Sequence, residues 1–505
     1  MRRLPGLVRV ERARAYDGAV RTHRTGRLVG GLVALTLAAA CGRTSSGDAP
    51  LGVLLISVDS LRADHLSCYG YESPTAPGVA TSPNIDARLA REGTLFETVS
   101  STTSWTVPAH MAMLSGQPDR IHGVLAPASR LPAGRRLLAQ DFQDAGWTTA
   151  GFFSGPNLHP WFGFGRGFDV YADCTSMGVD PARFGPANPA ERKQLRAMED
   201  ASHRGHTGEL VSERFGEWFD GLDADEPFFA FVHLWDAHYD YEPPAEFDLF
   251  DPDYQGTQGG GDIPELVHTD LDPRDAAHIV ALYDGEIRYV DHTVATLLDR
   301  LAVSGRLDNT LVVFTSDHGE EFGEHGRYGH NKTLFDEVIA VPLILRWPGR
   351  VAANQRIAAQ VSLVDLAPTI LELAELPAST GHFGRSLSAG LVAGGQLEGQ
   401  PAPLELAIGR ADPTKKRAPM EGLRTNAFKV VRERPGEKPV VFDLNTDPAE
   451  AHPLNVPHDD GRLELARALW KAISTRGAAL PRETGTLPGA LEEELTNIGY
   501  LGGDE

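Results

Sequence analysis

Leu51-Gly-Val-Leu-Leu-Ile-Ser-Val58 is a nearly unbroken apolar run of strand length, and it leads directly into Asp59-Ser-Leu-Arg-Ala-Asp64. A run that is apolar at odd and even positions alike suits a strand buried on both faces, as in parallel sheets covered by helices. Two more stretches read the same way. Thr310-Leu-Val-Val-Phe-Thr315 leads into Ser316-Asp317-His318-Gly319, and Phe228-Phe-Ala-Phe-Val232 leads into His233-Leu-Trp-Asp236-Ala-His238. Ligands of open α/β sheets bind beyond the carboxyl ends of the strands. The three strands therefore predict an α/β fold that delivers Asp59, Asp317, His318, Asp236 and His238 to one edge. A single Asp after a strand often does no more than cap the next helix. Three such endings in one chain make a shared site the better reading. Carboxylates mixed with imidazoles suit Zn²⁺, or Mn²⁺ if oxygen dominates.

Ser104-Trp-Thr-Val-Pro-Ala-His-Met-Ala-Met-Leu-Ser-Gly116 adds a second kind of signal. Pro108 suits the first turn of a helix, where its missing N–H costs nothing, and Gly116 is a natural C-terminal stop. Thr106 is thus expected at a helix N-terminus, where free N–H groups favour negative charge. A hydroxyl there can be ionised against a metal and attack a phosphorus or sulfur centre. Helix capping alone explains an isolated T-x-P; the neighbouring strand ends do not belong to that explanation.

The chain has 505 residues, 41% hydrophobic and 23% charged, enough for one large globular unit or a large domain with a small one. A net charge of −22 argues against nucleic acid and anionic membrane surfaces as partners. The three cysteines, Cys41, Cys68 and Cys174, are too few for a disulfide framework. Residues 1–26 are rich in Arg, and Leu28-Val-Gly-Gly-Leu-Val-Ala-Leu-Thr-Leu-Ala-Ala-Ala40 is shorter than the roughly 20 residues that span a bilayer. It reads as the core of a signal peptide, 1–41, and Ala-Ala-Cys41-Gly resembles a lipoprotein cleavage box. Residues 42–50 read as a tether, 51–388 as the catalytic domain and 389–505 as a smaller C-terminal subdomain. The expected location is the bacterial cell envelope, with membrane contact only through a lipid anchor at Cys41.

Within the large domain, Glu320-Glu-Phe-Gly-Glu-His-Gly-Arg-Tyr-Gly-His330-Asn-Lys332 is too rich in Gly for a helix. His330 at its far end can reach back to a metal, whereas Glu320, Glu321 and Glu324 read as a solvated acidic loop. Pro118–Gly123 reads as a turn, and Ala145–Asn157 as a strand with its loop. A helix is expected from Pro189 towards Arg204, a flexible insertion over Gln255–Asp262, and core helices over Ala276–Arg300 and Val361–Ala374. Short alternating strands such as Phe428-Lys-Val-Val-Arg432 and Val440-Val-Phe-Asp-Leu444 predict a small antiparallel sheet, and Glu492–Ile498 a docking terminal helix.

Taken together, several ordered motifs between Gly52 and Asn455 resemble the sulfatase family of the alkaline phosphatase superfamily. They are Ser57-Val-Asp59…Cys68-Tyr-Gly-Tyr, Thr106-Val-Pro-Ala-His…Leu-Ser-Gly116, Pro118…His122-Gly, Gly167-Phe-Asp-Val-Tyr171 and Asp236-Ala-His238…Tyr-Glu-Pro-Pro244. Thr315-Ser-Asp-His-Gly-Glu-Glu-Phe-Gly-Glu-His-Gly326, Val341-Pro-Leu-Ile-Leu-Arg-Trp-Pro-Gly349 and Phe442-Asp-Leu…Asp447-Pro continue the series. The resemblance implies a mixed, mostly parallel sheet between helices, with a small C-terminal antiparallel sheet.

The departures from the family pattern carry as much information. Thr106 stands where sulfatases place the Cys or Ser that matures to formylglycine, and threonine cannot become that aldehyde. His110 replaces the motif Arg, Ser60 replaces a second Asp, His318 replaces an Asn, and no Lys-x-His element occurs near Ser154–Asn157. Each departure resembles the Thr-nucleophile phosphatases and phosphodiesterases of the superfamily, which use two zinc ions. That resemblance implies Asp59, Thr106, Asp317 and His318 around one metal, and Asp236, His238 and His330 around the other. The expected reaction is a two-step displacement. Thr106 Oγ, acidified by zinc, attacks the ester in line, and water then releases the phospho- or sulfo-threonine. Asn157 can donate to a non-bridging oxygen, and Lys332 can add positive charge. The substrate is a small-molecule, glycan or lipid ester. Three readings stay open beside it: a sulfate ester hydrolase with one Ca²⁺ or Mn²⁺, a phosphotransferase, and a degenerate binding protein. Oligomeric state is not legible.

Overall fold

Among the described residues of the computed structural model, nine strands form the main sheet, and the apolar run Leu51–Val58 lies at its heart. The structure describes residues 8–9, 49–126, 129–175, 206–261, 271–377, 379, 381–407, 419–434, 436–477, 483–489, 491–492 and 495. The expected leader with Cys41, nearly all of the tether, the helix towards Arg204 and most of the terminal helix lie outside them. The longer strands are β1 (Gly52–Val58), β2 (Thr94–Phe96), β3 (Thr148–Phe153), β4 (Val170–Asp173), β5 (Phe228–Leu234), β6 (Thr310–Ser316), β7 (Leu343–Arg346) and β8 (Gln355–Ile357). They lie in the order β4-β3-β5-β1-β6-β7-β2-β8, and Val8–Arg9 pairs at the edge with β4. Only β7 and Val8–Arg9 run antiparallel to their neighbours; the other pairings are parallel.

Every residue of β1, β5 and β6 is buried. The pleat divides their side chains between two cores. Val53, Leu55, Phe229, Phe231, Leu311 and Val313 face α1 (Thr106–Ser115), α2 (Leu138–Asp144) and the later α5 (Leu366–Leu373). Leu54, Ile56, Val58, Ala230, Val232, Val312 and Phe314 face α3 (Gly208–Phe219) and α4 (Pro273–Val303). Each fully buried Leu, Ile or Phe of this kind contributes about 1.5–3 kcal/mol, which is what holds the three layers together. Gly52 admits the ring of Phe228 across the ladder; a Cβ there would sit 2.2 Å from Phe228 Cε1.

The register positions the site. Ser57 pairs with His233 on one side and with Thr315 on the other, so the three strands end on the same rung. Asp59 and Asp317 both follow at that edge.

A second sheet, β9 (Ala402–Leu406), β10 (Met420–Arg424), β11 (Phe428–Arg432) and β12 (Val440–Asp443), is antiparallel throughout. One face, with Leu423, Val430 and Val441, packs on Leu463, Ala466 and Trp470 of α6 (Gly461–Gly477). Leu404, Leu406 and Val431 belong instead to the core that contains α1. The core helix expected over Val361–Ala374 is shorter. Ser362 and Asp365 close a capping box around a 3₁₀ turn, and α5 starts only at Leu366, which leaves Pro368 in its first turn. Gly260, in the insertion expected to be flexible, pairs with Tyr241. Among the described residues, no helix is long and apolar enough to cross a membrane.

Candidate active site

Ser60, directly after β1, adopts a positive φ of 55°. That left-handed turn is uncommon for a residue with a side chain, and it aims Ser60 at its neighbours. Its N–H donates to Asp317 Oδ1 at 3.2 Å and its hydroxyl to Asp59 Oδ1 at 3.1 Å. Asp59, Asp317 and His318 are fully buried, and one ligand atom from each lies within 4.8 Å of the others. His318 Nδ1–H donates to the Gly319 carbonyl at 2.9 Å, which leaves the lone pair on Nε2. That nitrogen is 3.4 Å from Asp317 Oδ2 and 3.6 Å from Asp59 Oδ1.

Asp59 Oδ2 and Asp317 Oδ2 have no hydrogen-bond partner among the described residues. Burial pushes the Asp59 carboxyl up to about 7, against the pull of His318 and Ser60, and raises Asp317 as well. Burial works against charge on His318 too, but Asp317 and Asp59 outweigh it and raise its pKa. A buried carboxyl either keeps its proton, as the raised values favour, or ionises against a positive charge, and this donor set fits a divalent cation.

Thr106 is the first residue of α1 and fully buried, with Oγ1 3.2 Å from His318 Nε2. One turn on, His110 donates from Nδ1 to the Thr106 carbonyl at 3.0 Å and accepts at Nε2 from Ser57 Oγ at 2.9 Å. It thereby ties the first turn of α1 to β1. Burial lowers the pKa of His110 to about 3, so the ring stays neutral. All ten residues of α1 are buried, which explains the apolar composition all round this helix.

The second group of expected ligands is only partly assembled. The rings of His238 and His330 lie 5.0 Å apart, and His330 is 4.4 Å from His318. Asp236 does not join them: its two oxygens accept from Thr207 N–H at 2.7 Å and Thr207 Oγ1 at 2.8 Å, just before α3. In an extended strand Asp236 and His238 would share a face, but Ala237 between them has a φ of 99° and breaks that path. Glu320 and Glu321, expected to be solvated, are fully buried. Glu320 Oε1 accepts from His330 Nδ1 at 3.0 Å and Oε2 from the Tyr241 hydroxyl at 2.9 Å. Burial pushes both glutamates up to about 7. Glu324 is exposed and pairs with Arg62 at 2.5 Å.

Asn157 is buried in the 3₁₀ turn after β3, and neither amide atom has a hydrogen-bond partner among the described residues. Lys332 is half-buried; its Nζ donates to the Tyr328 carbonyl at 3.2 Å, and burial lowers its pKa. His233, in β5, is a site residue that the linear motifs did not single out. Its Nε2 is 3.4 Å from Asp59 Oδ2. The signal that finds it is the ladder itself, which sets it beside Ser57, two residues from Asp59.

The sequence model of the sulfatase family matches residues 52–376, well over half of the chain. The chain belongs to the sulfatase family. A model for the C-terminal part of N-sulphoglucosamine sulphohydrolase matches residues 323–478. Similar proteins include N-acetylglucosamine-6-O-sulfatase of Bacteroides thetaiotaomicron, 22% identical over 433 residues, with 70% of this chain and 73% of the relative covered. Arylsulfatase A of Bos taurus is 29% identical over 367 residues, covering 67% of each. Among solved structures, a phosphonate monoester hydrolase of Agrobacterium radiobacter shares the fold, with a TM-score of 0.66 and 23% identity over 86% of this chain and 97% of that one. Sulfatase-family membership makes this protein a hydrolase of ester bonds.

Proposed function

We propose that this sulfatase-family hydrolase works through an unmodified threonine, Thr106, and prefers phosphate mono- or diesters to sulfate esters. The observation that carries this reading is Thr106 Oγ1, buried at the first residue of α1 and 3.2 Å from His318 Nε2. An alcohol, unlike a formylglycine hydrate, must lose its proton to attack. When bound at Asp59, Asp317 and His318, a divalent cation supplies the charge that makes an alkoxide accessible at neutral pH. The chain's own groups do the rest. His110 holds the Thr106 turn, burial keeps water from the nucleophile, and the helix N-terminus favours the negative oxygen. The bond from Thr106 Oγ to phosphorus forms as the bond to the leaving oxygen breaks. The leaving oxygen takes its proton from water; burial holds the pKa of His330 well below its ordinary value, its Nδ1–H donates to Glu320 Oε1, and Tyr241 donates to Glu320 Oε2. Asn157, with both amide atoms open, is placed to donate to a non-bridging oxygen.

The test is acid quench of the enzyme during turnover of an aryl phosphate, followed by peptide mass spectrometry. A phosphoryl adduct on Thr106 is expected, and Thr106→Ala should lose about 10⁴-fold or more in kcat with its metal content unchanged. Turnover retained in that variant overturns the nucleophile. A higher kcat/KM for aryl sulfate than for aryl phosphate overturns the substrate preference alone. The leader ending at Cys41 supports placement in the cell envelope, which acyl labelling of Cys41 checks.

A further inference from the structure

We propose that Arg62 is a positioning residue of this site: it pins the loop beyond His318 to the turn beyond Asp59, and so sets where the Glu320–His330 pair stands against His318. The inference rests on the site described under Proposed function, though not on the identity of its nucleophile. Arg62 follows Asp59 by three residues and is buried. Its backbone N–H donates to the Tyr283 hydroxyl at 2.9 Å, and that hydroxyl donates to the Ser60 carbonyl at 2.8 Å, which fixes the base of the side chain to the turn. At the other end, Nη1 donates to the Glu320 carbonyl at 3.0 Å and to Glu324 Oε1 at 2.5 Å. Nε and Nη2 donate to the two oxygens of Asp64 at 2.9 and 2.8 Å. The stem crosses Gly319, directly after His318, where a Cβ would stand 3.1 Å from Arg62 Cγ. None of these partners is a reacting group, so Arg62 acts through what it holds.

What it holds needs an anchor. Glu321–Phe322 pairs with Tyr328–Gly329 over two rungs, and Gly323, Gly326 and Gly329 all have positive φ. A two-stranded hairpin of this kind is marginally stable by itself. Yet its two ends carry Glu320 and His330, joined at 3.0 Å, and the His330 ring lies 4.4 Å from that of His318. His318 Nε2 is in turn 3.2 Å from Thr106 Oγ1, so a shift of the hairpin moves a wall of the site beside the reacting hydroxyl. Tyr241 holds the Glu320 carboxyl; Arg62 holds its backbone, and also reaches the hairpin tip through Glu324 and the Phe322 ring, 5.7 Å away. Stability does not account for this arrangement. The Arg62 side chain is 7% exposed, while those of Asp64 and Glu324 are 66% and 33% exposed. Pairs whose acidic members stay wet add little to stability, and drying the guanidinium offsets much of what they add. A planar fork that serves a backbone carbonyl and two carboxylates in fixed directions is suited to placing loops, and a lysine cannot reproduce it.

The experiment compares Arg62→Met and Arg62→Lys with the wild type, as full-length protein, by turnover, Tm and NMR of the ¹⁵N-histidine-labelled chain. In the wild type the His330 Nδ1–H held by Glu320 should give a slowly exchanging downfield proton signal, identified by its loss in His330→Gln. Arg62→Met should shift or broaden that signal and lower kcat on the preferred aryl ester by about 10²-fold, the effect of misplacing a group by about 1 Å, with KM and Tm little changed. Asp64 and Glu324 can return to water, so the variant should still fold; if it does not, Arg62→Lys carries the same readouts. Arg62→Lys keeps the charge and can reach the Glu320 carbonyl, and it should recover part of both kcat and the signal. An unchanged His330 signal or an unchanged kcat in Arg62→Met overturns the proposal. So does a fall in kcat that follows Tm downward in both variants with no recovery in Arg62→Lys, which would make Arg62 a structural part only. Absence of the signal from the wild type overturns the Glu320–His330 pair and the proposal with it. The nucleophile is tested apart from this: turnover retained in Thr106→Ala leaves the His330 signal and its dependence on Arg62 as they are.

Discussion

Two of the carboxylate groups among the described residues are built on opposite principles. Where the small sheet meets the main body, Lys429 is fully buried, with Nζ 2.6 Å from both Glu450 Oε2 and Asp336 Oδ1 and 3.0 Å from the Leu334 carbonyl. Arg424 adds a contact of 2.7 Å to Asp336 Oδ2. Against the pull of burial, Lys429 and Arg424 hold Asp336 well below the usual carboxylate range. At the end of β1 no lysine or arginine among the described residues plays that part for Asp59, whose pKa burial pushes the other way, to about 7. One cluster carries its own cations; the other is left for a cation to complete. Burial of charge is therefore not itself the mark of a site; the convergence of Asp59, Asp317 and His318, with ligand atoms within 4.8 Å of one another, is.

The largest effect should come from breaking the self-sufficient cluster. Lys429→Met strands Asp336 and Glu450 without their ammonium partner, and the loss of an ion from a buried pair costs about 3–5 kcal/mol. Thermal or urea unfolding should register it whether or not zinc is present. Asp59→Asn should do the reverse in the metal-free protein, stabilising it by about 1–3 kcal/mol. The amide removes a buried acidic group and can donate to the lone pair of His233 Nε2. The same substitution should abolish the rise in Tm that zinc gives the wild type. A metal-free Asp59→Asn protein less stable than wild type would mean that the two clusters do not differ as argued.

What the chain discloses without coordinates follows from the same contrast. Strands buried on both faces cannot alternate, so β1, β5 and β6 are legible as unbroken apolar runs, and their last residues mark the sheet edge. Thr106 is legible because Pro108 and Gly116 bracket its helix. His233 is not, since it sits within a strand and meets Asp59 only through a register that distant segments choose together. Glu320 and Glu321 read as solvated because acidic residues among glycines usually are; Tyr241, His330 and Thr333, all remote in the chain or across a turn, make their burial tolerable. Asp236 misleads because the i, i+2 rule assumes an extended backbone, and Ala237 departs from it.

The smallest effect is in pH, and it separates the clusters by sign. An unfolded Asp titrates near 3.9, while folded Asp59 titrates at about 7. Below about pH 4 both states hold the proton, and Asp59 contributes nothing to the balance. Between about pH 4 and 7 the unfolded chain releases the proton and the folded protein keeps it, so rising pH favours unfolding. Above pH 7 the penalty is constant. Asp336 behaves oppositely: its stabilisation is complete above the unfolded value and is lost as pH falls through its depressed folded value. The metal-free wild type should thus lose Tm from pH 4 to 7 relative to Asp59→Asn, by about 1–3 °C for a chain of this size. Saturating zinc should remove that difference in slope, because the bound cation holds Asp59 ionised in the folded state across the same window. Parallel slopes for the two metal-free proteins would show that Asp59 is already ionised without a metal. The site would then have a resident positive charge, as the Lys429 cluster does.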